Sequence, residues 1–204
     1  MLILAIDSCG PSCGVCVWQD GRALAQATEQ MERGQDARLM PMIVASLAQA
    51  GIDFSDLDKI AVTRGPGSFT GVRVGLAAAR GIGIASGKPV IGIDRFSIYH
   101  ALHATAGRNL LVVINSKRVE LFCRFFPAVG APHESCMMTQ PEIDIFLSAN
   151  PGTDVAGDAV MRDEEILSVT AKLAAEADVG NPDFQPRPLY LRAPDVTFPS
   201  TKSR

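Results

Sequence analysis

The chain has 204 residues, of which 47% are hydrophobic and 20% charged, the usage of an ordinary globular protein, which excludes a disordered or fibrous class. A formal net charge of -3 without a basic stripe excludes unaided gripping of nucleic acid, where lysine and arginine on phosphates supply the affinity. No apolar run reaches the ~20 residues that span a bilayer, and the start MLILAIDSCG lacks a basic n-region, so a cytoplasmic chain is expected, with its five cysteines reduced.

Taken in chain order, Leu2 to Ile6 is a β-type apolar run. CGVCVWQDG alternates and ends in the turn Asp20-Gly21, and RALAQATEQ continues as a third strand. Helical spacing follows in QDARLMPMIVASLAQAG, with Leu39, Ile43, Leu47 and Ala50 on one stripe and Met40, Val44 and Ala48 on another, and Gly51 as the stop. A helix facing one core needs one apolar stripe, so the second implies a second contact surface. Pro41 either kinks this helix or, with the helix starting near Met40, occupies its first position.

A buried-type strand KIAVTR, the stretch RGPGSFTGVRVGLAAARG, a strand PVIGID and a short helix from Phe96 to Ala104 come next. This order predicts an α/β fold with a mixed sheet and helices packed on it. The loop-like ATAGRN marks a boundary, dividing the chain into halves 1–106 and 107–204. Beyond it, LLVVINS followed by VELFCRFF echoes LILAIDS followed by CGVCVWQDG, as in a fold of two related halves. The rest is more irregular, with Pro-bearing PAVGAPHE, SANPGTD and GNPDFQPRP, a helix from about Asp163 to Ala177, and PLYLRAPDV as a final strand or tail.

Gly65-Pro66-Gly67 makes a tight turn after a strand, with Ser68 placed to cap the following helix. The N-terminus of such a helix attracts anions. Gly65, Gly67 and Gly71, however, are spaced G-x-G-x-x-x-G, one residue longer than the dinucleotide fingerprint, and the Walker lysine is missing. On the helix itself, Gly71, Gly75, Ala79 and Gly83 recur every fourth residue. Each glycine costs about 1 kcal/mol of helix propensity, and close packing must offset that cost. The surface so met is either the chain's own sheet or a partner helix, with Val72, Leu76, Val74 and Ile84 as apolar flanks.

Asp7 and Ser8 at the end of the first strand, with Ser12 across the turn, could hold a metal-bound phosphate, with Gly157 and Asp158 as the opposite lip of a cleft. The plainer readings are an Asx turn and a helix cap. Cys9, Cys13 and Cys16 have a cluster-binding C-x3-C-x2-C spacing, but on an alternating strand Cys13 and Cys16 point to opposite faces, so the cysteines read as small buried hydrophobes. His100 and His103 lack a nearby third ligand and read as surface histidines, and no metal site or Ser-His-Asp set can be assembled.

ILAIDS, KIAVTRGPGSFTGVRVGLAAARGIG and PVIGID together resemble the TsaB (YeaZ) family, strongly over residues 1 to about 95, with echoes at AGDAV and PLYLRAPD. The resemblance implies an actin-like, sugar-kinase-like (ribonuclease H-like) fold of two related halves. It further implies a non-catalytic subunit that assists TsaD, which transfers threonylcarbamoyl to N6 of the adenosine beside the tRNA anticodon together with the ATPase TsaE. TsaD carries an H-x-x-x-H metal pair; His100 and His103 have a different spacing. Family members pair through their first two helices, with themselves or with TsaD. Carried onto this chain, that interface comprises Leu39, Met42, Ile43, Ser46, Leu47, Thr70, Gly71, Val72, Val74, Gly75, Leu76, Ala78, Ala79 and Gly83.

The same resemblance makes Asp7, Ser8, Ser12, Gly157 and Asp158 the remnant of a nucleotide cleft. The complex uses ATP, no cofactor is expected in this chain itself, and tRNA is met only indirectly. Gln35 stands where the family commonly has histidine, and NSKRVEL where an Asp-Ala-Arg segment is usual. The alternative is an enzyme acting alone, an ATP-dependent enzyme of the same fold or a glycoprotease-type peptidase.

Overall fold

A computed structural model describes residues 1–160 and 165–191. The first half forms a five-stranded sheet from β1 (Leu2–Asp7), β2 (Ser12–Gln19), β3 (Arg22–Gln30), β4 (Lys59–Thr63) and β5 (Val90–Ile93), in the order β3-β2-β1-β4-β5. The meander β1-β2-β3 is antiparallel, while β4 and β5 add in parallel on the other side of β1. The turn between β2 and β3 has positive φ at both Asp20 and Gly21, the backbone that a two-residue hairpin needs and that Asp-Gly supplies.

Every residue of β1 is buried, which is why it reads as a continuous apolar run. Leu2, Leu4 and Ile6 face one core with α1 (Gln35–Ala50) and α2 (Phe69–Ser86), whereas Ile3 and Ala5 face another with α5 (Ile166–Glu176). Cys13 lies in the first of these cores and Cys16 in the second, so the two thiols stand on opposite faces of the sheet.

The second half repeats the plan. Its sheet is β8 (Cys136–Met138), β7 (Leu121–Phe126), β6 (Leu110–Ile114) and β9 (Asp154–Ala156) in that order. β6 and β7 are antiparallel, β7 and β8 are antiparallel, and β9 is parallel to β6, matching β1 to β4 strand for strand. Two sheets of the same β-meander-plus-parallel order are the actin-like, ribonuclease H-like architecture. α3 (Arg95–His103) packs Phe96 and Tyr99 onto one face of this sheet, and α4 (Gln140–Ala149) packs Ile143 onto the other.

Several expectations are corrected. α1 runs unbroken from Gln35 through Pro41, starting six residues before the alternative of a first-position proline would need (41-35). Pro41 removes only the bond to the Ala37 carbonyl, and both residues are exposed, where water can replace it. β8 and α4 lie in the stretch that reads as irregular: β8 has three residues, too few for a period, and α4 is announced only by the Thr139–Glu142 capping box. The expected start of α5 at Asp163 lies outside the described residues, as does Arg192 onward in PLYLRAPDV; Pro188 to Tyr190 carry no regular structure. His100 stacks on Phe126 and His103 on Tyr99, so neither is a plain surface histidine.

Although α5 is encoded in the second half, it is bound to the first sheet. Buried Lys59 on β4 donates to the carbonyls of Ala174 (2.9 Å), Ala175 (3.2 Å) and Ala177 (2.9 Å), capping the helix where its carbonyls lack donors. Lys59→Met is expected to lower stability by about 2–3 kcal/mol, the range for hydrogen bonds to a charged group. The check is urea unfolding, where the midpoint falls while the slope stays constant; an unmoved midpoint would mean that the three carbonyls are satisfied without the lysine.

Candidate functional site

Two surfaces stand out, a cleft between the halves and a groove on the outer helices. The cleft has a volume of about 480 Å³ and is lined from the first half by Cys9, Gly10, Pro11, Pro66 to Phe69 and Arg95. Asn115 to Arg118, Phe122 and Asp158 line it from the second, and Leu189 to Leu191 close one side. Ser68 caps α2 as its sequence suggests, its hydroxyl accepting from the Gly71 amide at 3.3 Å. The final described segment is strapped across this end of α2: the Leu189 amide donates to the Arg64 carbonyl at 2.8 Å, and Tyr190 packs its ring, tilted by 31°, against Phe69 at 5.0 Å and accepts from Arg73 Nε at 3.1 Å.

Of the five residues expected at a remnant nucleotide site, only Asp158 lines this cavity. Asp7 is buried beneath it and accepts from the Cys9 amide (3.1 Å) and the Thr63 hydroxyl (2.5 Å). Ser8 is also buried, donating to the Gly71 carbonyl at 2.7 Å. Ser12 pairs with Gln30 at the start of β2. Gly157 turns with φ +121° against the Val113 carbonyl, where no side chain fits.

Asp158 is doubly engaged: one oxygen accepts from the Asn115 amide at 2.7 Å and the other faces Arg95 Nη1 at 3.0 Å. Asp158 is thus committed through both oxygens and Asp7 is buried with its Oδ1 committed, and among the described residues no three of His, Cys, Asp or Glu come together in the manner of a metal site. These residues do not fit a metal-bound nucleotide.

Burial, with Asp7 adding to it, pushes the Cys9 thiol up to about 12, and burial raises Cys13 and Cys16 to about 11. Thiols held there are protonated at neutral pH and are not nucleophiles.

Arg95 is the residue that sequence reasoning misses. It is 2% exposed, and its guanidinium also donates to the Tyr99 hydroxyl at 3.2 Å. Its only signal along the chain is the four-residue spacing to Tyr99, which puts both on one helical face; an arginine in the first turn of a helix otherwise reads as solvent-facing.

The helix pair α1 and α2 decides the question raised by the small-residue ridge. Gly71, Gly75, Ala79 and Gly83 are all buried against the chain's own sheet. A Cβ added at Gly75 would stand 2.6 Å from Ser8 Oγ, and at Gly71 or Gly83 it would fall well inside the 3.0 Å that real Cβ contacts respect. The ridge therefore lets α2 approach β1. Leu39, Met42, Ile43, Ser46, Leu47, Val72 and Leu76 are buried with it, and of the residues carried over as an interface only Thr70, Val74 and Ala78 reach the surface.

A different small-residue face of α2 is open. Ala77, Ala78, Gly81, Ile82, Ala85 and Ser86 form, with Met40, Phe54 and Ser55, a shallow and mostly apolar groove of about 610 Å³. Val44 on α1 and Ile84 on α2 are exposed large hydrophobics, Ile84 at 86%. The second apolar stripe of α1, Met40 and Val44, thus lies in the open as its surplus hydrophobicity suggests. Among the described residues no helix is long and apolar enough to cross a membrane.

The chain matches the family model of TsaD, tRNA N6-adenosine threonylcarbamoyltransferase, over residues 27–203. It is 40% identical over 94 residues to the Escherichia coli (strain K12) tRNA threonylcarbamoyladenosine biosynthesis protein TsaB, a match covering 46% of this chain and 40% of that protein. It is 30% identical to the tRNA N6-adenosine threonylcarbamoyltransferase of Solidesulfovibrio magneticus over 78% of this chain and 44% of that protein. The chain spans less than half the length of either relative. In fold it is similar to YeaZ from Pseudomonas aeruginosa, with a TM-score of 0.69 at 24% identity, covering 93% of this chain and 99% of the other.

Proposed function

From the premise that this chain belongs to the TsaD family, we propose that it is a non-catalytic partner subunit in threonylcarbamoyladenosine formation on tRNA. In this reading it docks on a TsaD-type catalytic subunit and supports transfer of the threonylcarbamoyl group to N6 of the adenosine beside the anticodon. The observation that carries the reading is the open groove of Ala77, Ala78, Gly81 and Ala85 beside Met40. Small residues on a solvent-facing helix leave room for a second helix to approach closely, and the flanking hydrophobics supply the area to bury. A related subunit with the same two helices fits this face, giving a four-helix contact, and in the absence of TsaD a second copy of the chain takes that place. With a net charge of -3, this chain leaves tRNA to the other subunits; a TsaE-type ATPase supplies the ATP step, and the assembly works in the cytoplasm.

Reconstitution tests this. TsaD and TsaE with tRNA, threonine, bicarbonate, ATP and a threonylcarbamoyl-adenylate synthase are expected to give threonylcarbamoyladenosine only when this chain is added. Equal product without it would remove the proposed role. The isolated chain is expected to show neither ATP turnover nor peptide cleavage above background; either activity would favour an enzyme acting alone.

A further inference from the structure

We propose that Arg95 is a built-in cation that fills the place a metal-bound phosphate would need in the cleft and, through Asp158, holds the two halves of the molecule shut. The guanidinium is boxed in from both halves. Nη1 faces Asp158 of the second half at 3.0 Å and reaches the Pro66 carbonyl at 3.5 Å, while Nη2 donates to the Tyr99 hydroxyl. On the remaining side stands the β1–β2 turn, where a Cβ added to Gly10 would lie 3.4 Å from Nη2.

The charges around this box are Asp158 in contact and Asp7 through space, with Lys117 and Arg118 on the second-half lip of the cleft. A divalent ion entering here would meet a fixed positive charge beside Asp158, the carboxylate that lines the cavity among the described residues, whose two oxygens are taken by Arg95 and the Asn115 amide, while Asp7 lies buried beneath with its Oδ1 on the Cys9 amide and the Thr63 hydroxyl. A fold of two halves that closes on a metal-bound nucleotide obtains its closing charge from the ligand; here an arginine carried on α3 supplies it permanently. A second and longer tie runs the same way, from Arg124 of the second half to Asp94 at 3.8 Å.

Arg95 Nε, buried without a hydrogen-bond partner, belongs to the same arrangement. Nη1 alone spans the boundary, between Asp158 of the second half and the Pro66 carbonyl of the first, and Nε lies behind it.

Two measurements on the full chain test the proposal, and neither involves tRNA or a partner. The first is hydrogen exchange on Asp158→Asn, which removes the ion pair while its remaining oxygen can still accept from the Asn115 amide. Amides of Gly65, Gly67 and Ser68 in the first half and 115–118 in the second are expected to exchange about tenfold faster or more, reporting opening between the halves, with α1 unchanged. Exchange within twofold of the unmodified chain at both segments would overturn the latch. If Asp158→Asn fails to fold, Arg95→Met with Asp158→Leu, an apolar pair in place of the ionic one, is read in the same way. The second is equilibrium dialysis of magnesium-ATP against the unmodified chain. No saturable binding is expected up to about 1 mM; saturable binding below that, lost on removing magnesium, would overturn the claim that the guanidinium occupies the metal-phosphate position.

Discussion

Gly71→Ala is expected to destabilise the isolated chain by about 3 kcal/mol or more, at the upper end of what overpacking costs. In an exposed helix the same change would gain about 1 kcal/mol, since alanine is the better helix former. The sign reverses because the added methyl meets the Ser8 carbonyl, which is backbone at the end of β1 and cannot swing aside as a flexible side chain would. To admit it, α2 must lift off β1, which also breaks the bond from Ser8 Oγ to the Gly71 carbonyl and loosens the Asp7 turn. Urea unfolding of the variant measures this directly, and a midpoint equal to that of the unmodified chain would show that the helix does not sit as closely as described. Gly75 belongs to the same contact, with a Cβ there facing Ser8 Oγ at 2.6 Å. A bulky residue at either position acts first on the fold, and any effect on assembly follows from that.

Gly81→Glu is expected to do the opposite. No atom lies within 4 Å of a Cβ at Gly81, which is exposed and helical, so the isolated variant should be as stable as its parent or gain a few tenths of a kcal/mol from propensity. In the assembly, the carboxylate would be buried in the apolar groove beside Ala77, Ala78 and Met40. An uncompensated buried charge costs about 3–5 kcal/mol, so affinity for a TsaD-type partner should drop by a hundredfold or more. Threonylcarbamoyladenosine formation in the reconstituted system should fall with it. The paired readout is decisive: stability unchanged and partner binding lost is the expected pattern, whereas full partner binding by a folded Gly81→Glu variant would place the contact elsewhere on the molecule.

Much of the first half is legible in the chain because its signals are local. The alternation of β2, the Asp20-Gly21 turn and the cap at Ser68 depend on neighbours a few residues away, and each appears where periodicity and turn chemistry put it. The echo of LILAIDS in LLVVINS is legible for the same reason: β1 and β6 are both central strands buried on two faces. What stays hidden is either too short to carry a period, as in β8, or made by residues distant in sequence. Arg95 meets Asp158 across 63 positions (158-95), and along α3 only the four-residue spacing to Tyr99 hints that its first residue is turned inward. Asp7 and Ser8 look like cleft residues in a linear reading, yet the folded turn aims both into the protein, toward Thr63 and Gly71.

The sequence by itself determined the opening three-strand meander, the repeated half, the opposite-facing cysteines and the presence of a second apolar surface on the outer helices. Tertiary structure alone decided which small-residue face of α2 is which. The series 71, 75, 79, 83 and the set 77, 78, 81, 85 occupy one helix and are equally poor in side-chain bulk, so composition and period cannot separate them. Only the approach of α2 to β1, close enough to exclude a methyl group at Gly71, sends the first inward and leaves the second open to solvent.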